Sequence, residues 1–351
     1  MQIDFSILPL ATNLLPAIQQ KINQKTKPLG ALGRLEEIAL QICQIQQTLT
    51  PTLSHPHMLV FAGDHGIAQE GVSAYPQEVT WQMVMNFLNE GAAINVFCKQ
   101  HSIELKVVDA GVNYDFPLDA KGLIHNKIQK HTKNFTTESA MSILEVEKCV
   151  ESASAIVKTI AESGCSVIGF GEMGIANTSS AAVLMSTLCN LPIEKCAGRG
   201  TGLNDKALQH KIEVLSNAIL NGGSISSPLD ALAKYGGFEI AQIVGAVLQA
   251  AKCRMVVLID GFIATTAYLV AQAIEPSIKE YCIFCHQSQE QGHQLLLDYL
   301  KVKPLLNINM RLGEGTGVAV AYPIILSAVM FLNEMASFES AGVSGNVRTN
   351  L

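Results

Sequence analysis

The strongest constraint on the fold is a set of short apolar runs that do not alternate with polar residues and that stop abruptly in glycine and aspartate. Met58–Ala62 ends in Gly63-Asp64-His65-Gly66, Lys106–Val108 in Asp109-Ala110-Gly111, Cys165–Gly169 in a glycine-rich loop, and Met255–Ile259 in Asp260-Gly261. Ile283-Phe284 is a candidate for a further member. Runs without alternation are strands covered on both faces. Segments of helical composition, such as Ser179–Leu188 and Ile240–Ala251, separate them. The pattern predicts an α/β fold: a Rossmann-like parallel sheet with helices on both faces. Ligands of such sheets bind beyond the carboxyl ends of the strands, where the polar residues here are gathered, so an enzyme is expected.

The flanks read differently. The first fifty residues are helical in character, punctuated by Lys27-Pro-Leu-Gly-Ala-Leu-Gly33, after which Leu35, Ile38, Ala39, Ile42 and Ile45 share one helix face. The last thirty-five residues are helical again. Residues 113–137 mix turn residues and charge and are expected to leave the sheet. Apolar residues make up 48% of the 351 and charged residues only 15%, which predicts a large core and additional surface buried between subunits. A net charge of −6 offers no footprint for nucleic acid or an anionic membrane. The apolar stretch Gly317–Leu332 falls short of a span of about 20 residues and contains Pro323. No basic residue precedes Lys21, so no export signal is read, and the nine scattered cysteines are expected to be reduced in a cytoplasmic protein.

Three glycine loops carry candidate chemistry. Gly169-Phe-Gly171-Glu172-Met-Gly174 matches the dinucleotide pattern G-x-G-x-x-G, the basis of an alternative reading as an NAD(P)-dependent oxidoreductase. Glu172, expected in the turn, would oppose a pyrophosphate there. Asn177, Thr178 and Ser179 just before a helix suit either a single phosphate or simple N-capping. Gly198-Arg-Gly200-Thr-Gly202 exposes backbone N–H groups to an anion and is followed by Lys206 and Lys211 on a helix; a flexible connection with a solvated basic face is the other reading. In Arg311-Leu312-Gly313-Glu314-Gly315-Thr316-Gly317, a carboxylate between glycines in apolar surroundings is expected to have a raised pKa and to accept a proton, or else to complement a helix dipole.

Asp64-His65 does not complete a metal-ligand set, and such an aspartate more often orients its loop through backbone hydrogen bonds. Cys282-Ile-Phe-Cys285-His286 has the c-type haem spacing but no export signal, and is read as a buried strand with His286 at its end.

Taken in order, seven blocks resemble the nicotinate-nucleotide–dimethylbenzimidazole phosphoribosyltransferase family of cobalamin nucleotide-loop assembly. They are Lys27–Glu36, Gly63–Gly66, Glu70–Gln77 with Val79, Thr80, Gln82 and Met83, Gly171–Thr178, Gly198–Gly202, His286-Gln-Ser288 with Gly292-His293, and Arg311–Gly317. The resemblance implies a small helical domain from both chain ends (1–50 with 318–351) around a catalytic domain at 51–317, and a homodimer whose subunits complete each other's sites. It implies transfer of phosphoribose from nicotinate mononucleotide to 5,6-dimethylbenzimidazole with inversion, using no metal and no cofactor. It further implies Glu314 as general base and Glu172 as a second carboxylate. Ser73, Tyr75, Gln82 and Leu312 would form the benzimidazole pocket, and Gly174, Asn177, Thr178, Ser179, Gly202 and Lys211 the phosphate and ribose cradle. Leu29 and Ala31 depart from the family's proline and serine, Ala176 from a common glycine, and His286-Gln-Ser-Gln-Glu290-Gln-Gly-His293 differs in its intervening residues; Ala176 matters if that position needs positive φ.

Overall fold

A computed structural model describes residues 5–344. Six strands, β1 (His57–Gly63), β2 (Glu104–Gly111), β3 (Leu123–His125), β4 (Val167–Met173), β5 (Val256–Ile259) and β6 (Cys282–Phe284), form one sheet in the order β3-β2-β1-β4-β5-β6. All five pairings are parallel. The expected strands are all present. The correction is β3: residues 113–137 do not simply leave the sheet, but return three residues to its edge, Val107–Asp109 pairing with Leu123–His125.

Thirteen helices join and cover the strands. Before β1 come α1 (Leu15–Asn23) and α2 (Arg34–Gln46); α3 (Val79–Leu88) and α4 (Ala93–Gln100) link β1 to β2. α5 (Ile143–Glu162) precedes β4, and α6 (Asn177–Cys189), α7 (Ile193–Cys196), α8 (Asp205–Asn221), α9 (Pro228–Tyr235) and α10 (Phe238–Lys252) lie between β4 and β5. α11 (Gly261–Ile274), α12 (Gln291–Leu300) and α13 (Thr316–Glu334) follow. Both sheet faces are covered. A Cβ on Gly63 would meet Glu239 of α10, whereas one on Gly169 would meet Val318 of α13. Every residue of β1 is buried, which is why its sequence does not alternate.

The chain ends meet. α13 packs on α2 and α4, Lys25 bridges to Ser337, and the Phe338 N–H donates to the Gln24 carbonyl. α13 starts at Thr316, two residues ahead of the expected domain boundary; residues 1–4 and 345–351 of the expected helical unit lie outside the described residues. By length and composition alone α13 could cross a membrane, yet more than half of it is buried here, with Val318, Ala321, Ile325 and Leu332 in the core.

The strand order reverses between β1 and β4. Register aligns Val108, Phe61 and Glu172 across three neighbouring strands, so Asp64, Glu172 and Asp260 emerge at the same carboxyl edge. A crevice at that reversal is where a doubly wound sheet takes its ligand.

Candidate active site

A cavity of about 770 Å³ opens at this edge, within the size range of small-molecule sites. Its wall comes from the ends of β4 and β5, from α3 and α4, and from residues 310–315.

Glu172 stands on this wall as the penultimate residue of β4, not in the turn where the sequence placed it. The same fact disposes of the dinucleotide motif: Gly169 and Gly171 lie inside the strand and make room for packing. A Cβ on Gly171 would sit 2.3 Å from the Glu314 carbonyl oxygen, so glycine there lets the 311–317 loop cross the strand end. The crossing is fixed by Glu314 N–H donating to the Glu172 carbonyl at 3.3 Å. Glu314 itself holds φ +69 and is buried, and its Oε2 has no hydrogen-bond partner. Burial pushes its carboxyl above the ordinary range, as the sequence predicted, against a smaller pull from the Ile94 backbone.

Burial also raises Glu172, to about 8, despite the stabilising hydrogen bond from Asn177; the charges of Glu239, Asp260 and Glu314 push the same way. Asn177 Nδ2 donates to Glu172 Oε2. Asn177 opens α6, whose N-cap is Ala176 with φ +74 and no side-chain cap, so Asn177–Ser179 are the helix's first residues, not its cap. Ala176 therefore does occupy the left-handed conformation that a glycine would take more easily.

Thr178 and Gly200 line the wall as well. Lys211, on α8, is fully buried rather than part of a solvated basic face. Its ammonium donates to Thr178 Oγ1 at 2.9 Å and to the Gly198 carbonyl at 3.3 Å. Burial draws its pKa down to about 8, partly offset by the charge of Glu290.

Of the remaining residues expected from the sequence, Tyr75, Leu312 and Gly174 line the cavity. Ser73 lines a small neighbouring cavity together with Arg199 and Thr201. Gln82 is exposed on α3, Ser179 is buried with its hydroxyl unpartnered, and Gly202 lies exposed at φ +126; none of these, nor Lys211, lines the main cavity.

Several polar groups escaped the sequence reading. Asp260 pairs with His286 at 2.6 Å (Oδ1 to Nδ1), and Asp260 faces the cavity. Burial pulls His286 down, but the hydrogen bond and charge of Asp260 outweigh it and leave it above its ordinary value. His65 is turned into the protein, bonding Glu239 Oε1 at 2.6 Å and Ser180 Oγ at 3.0 Å. Its neighbour Asp64 accepts the Asn113 N–H, the loop-orienting role anticipated for it. Cys282 is a buried strand residue, as anticipated, and Cys285, also buried, lies one residue past the strand's end. Glu290, between Ser288 and Gly292 of the sixth block, lines the cavity as well.

Fold and site thus define an α/β enzyme whose cavity, at the topological switch point, brings Glu172 and Glu314 to its wall, with the ammonium of Lys211 buried behind Thr178. A family model described as phosphoribosyltransferase matches residues 7–343, and the chain belongs to that family. A protein of Dechloromonas aromatica is 54% identical over 95% of this chain and 96% of its own length, and one of Cupriavidus taiwanensis is 55% identical over 96% and 97%. Both are named nicotinate-nucleotide–dimethylbenzimidazole phosphoribosyltransferase. The crystal structure of CobT from Thermus thermophilus superimposes with a TM-score of 0.91 at 37% identity, covering 95% of this chain and 99% of that one. The oxidoreductase alternative finds no support among these relatives.

Proposed function

We propose that this enzyme transfers the phosphoribosyl group of nicotinate mononucleotide to 5,6-dimethylbenzimidazole, giving α-ribazole 5′-phosphate and nicotinate for cobalamin assembly. The observation that carries the reading is the joining of Glu172 and Glu314 on the wall of one cavity, in a chain of this family. A benzimidazole nitrogen attacks C1′ as the bond from C1′ to the pyridinium nitrogen breaks, and the electron pair returns to nicotinate. The new N–C1′ bond leaves a benzimidazolium, whose remaining N–H gives its proton to Glu314. A base of raised pKa within hydrogen-bond reach is what that step requires. Glu172 is neutral near pH 7 while the cavity is empty; a pyridinium nucleotide brings the positive charge that favours its ionised form, and the carboxylate then faces positive charge developing at C1′.

On this reading Tyr75 and Leu312, with Ser73 and Gln82 nearby, hold the aromatic acceptor. Gly174, Asn177, Thr178, Ser179 and Gly202 hold the ribose phosphate, with Lys211 behind them. The chain works as a homodimer in the cytoplasm, the described residues of 1–50 and 318–351 forming a helical unit beside the catalytic 51–317. Incubation with both substrates is expected to give a ribazole phosphate matched by free nicotinate. Glu314→Gln is expected to stay folded and to bind nucleotide while turnover falls about 10²- to 10⁴-fold, the usual worth of a positioned base. Near-normal turnover in that variant would remove Glu314 as the base.

A further inference from the structure

Beyond the charge it sets against the buried Lys211, Glu290 has no part in the chemistry above. It sits immediately before α12, yet its side chain makes no cap bond there. It lines the same cavity as Glu172 and Glu314. Its Oε2 is sealed from solvent without a hydrogen-bond partner. A Cβ on Gly198 would lie 2.2 Å from Oε2, so the glycine is what leaves the carboxylate its place. The carbonyl of that same Gly198 accepts from Lys211. Glu290 therefore stands one residue away from the ammonium beside Thr178.

A carboxylate oxygen without a donor on a cavity wall is costly unless a ligand supplies one. It cannot be there to bind phosphate, which it would repel. Nicotinate mononucleotide, fully ionised, carries hydrogen-bond donors in one place only, the 2′- and 3′-hydroxyls of its ribose. The other unpartnered carboxylate oxygen on this wall, Glu314 Oε2, is engaged with the incoming base. Resting on the function proposed above, we infer that Glu290 accepts hydrogen bonds from the ribose diol and makes the enzyme select ribosyl over deoxyribosyl nucleotides.

The test compares kcat/KM for nicotinate mononucleotide with its 2′-deoxy and 3′-deoxy forms, in the wild type, Glu290→Gln and Glu290→Ala. Taking ratios across variants cancels the intrinsic reactivity of each sugar. The wild type is expected to prefer the ribosyl form over at least one deoxy analogue by about 10- to 100-fold more than Glu290→Ala does, the range for a hydrogen bond to a charged group. Glu290→Gln, which keeps an acceptor without the charge, is expected to fall between. If Glu290→Ala slows all three substrates by one factor, the residue is structural and the inference is overturned. A wild type that releases no nicotinate from any of them, with 5,6-dimethylbenzimidazole present, would instead overturn the function on which the inference rests.

Discussion

The raised pKa of Glu172 makes a prediction that needs no substrate. In the unfolded chain its carboxyl returns to an ordinary value of 4.5, and in the folded protein burial lifts it to about 8. Between those limits the folded state holds a proton that the unfolded chain has released. Unfolding free energy therefore falls as pH rises, by up to about 1.4 kcal/mol per pH unit. The contribution is fully present below pH 4.5 and is lost once pH passes 8. Over this interval the loss reaches about 5 kcal/mol, an upper figure because the neighbouring carboxylates titrate with it. Glu172→Gln keeps the shape and the acceptor for Asn177 but has no charge to bury. Near pH 5 the two proteins should unfold alike. By pH 9 the variant should be the more stable, and at about 2.1 cal/mol/K per residue over 351 residues the gap in Tm should reach up to roughly 7 °C. Denaturant or thermal unfolding of both proteins from pH 5 to 9 measures this directly. Two stability curves that run parallel across the range would refute the reasoning, since they would mean that Glu172 is ionised in the folded protein throughout.

Two further substitutions probe the same wall. Ala176→Gly relieves a left-handed alanine and should raise stability by about 0.5–1 kcal/mol, read as a higher urea midpoint at unchanged slope; a midpoint that stays put or falls argues against strain at the start of α6. Lys211→Met removes an ammonium whose burial already disfavours its charge; on the proposed function the KM for nicotinate mononucleotide should rise at least about 10-fold, with the KM for the aromatic acceptor and the Tm held or improved, the size of a charge-assisted contact. An unchanged nucleotide KM would separate Lys211 from the phosphate.

How much of this was legible depended on distance along the chain. The apolar runs revealed β1, β2, β4 and β5 because burial on both faces leaves a mark in every residue. β3 was not legible: three residues with a half-exposed middle leave no pattern long enough to read. Glu172 was placed in a turn because the glycines around it look like a loop; that they serve packing shows only when Glu314, some 140 residues on, crosses Gly171. His65 with Glu239, and Asp260 with His286, are pairings between elements that topology alone brings together. Lys211 looked solvated because nothing in an amphipathic helix marks which lysine will reach Thr178 of α6 and the Gly198 carbonyl. Glu290 did carry a weak signal, as a lone acid among glutamines at a helix start, between two histidines that drew the attention.

The distribution of charge in the cavity also bears on direction and release. Lys211 behind Thr178 favours an anion beside that residue, and Glu172 with Glu314 favours a cation beside them, so on the proposed function phosphate and pyridinium fix the nucleotide's orientation before any contact with the acceptor. Positive charge starts on the leaving ring, passes through C1′ and ends on the incoming ring, always beside the two glutamates. Proton transfer to Glu314 then discharges both partners at once. A neutral ribazole ring and a neutral acid no longer attract each other, whereas the charge in transit had met two carboxylates with little water between. Groups placed in this way bind the transition state more strongly than the product. For Glu172 that accounts for an acid buried where it costs the empty protein stability: a pKa raised to about 8 favours the uncharged form until the substrate's own charge makes ionisation favourable.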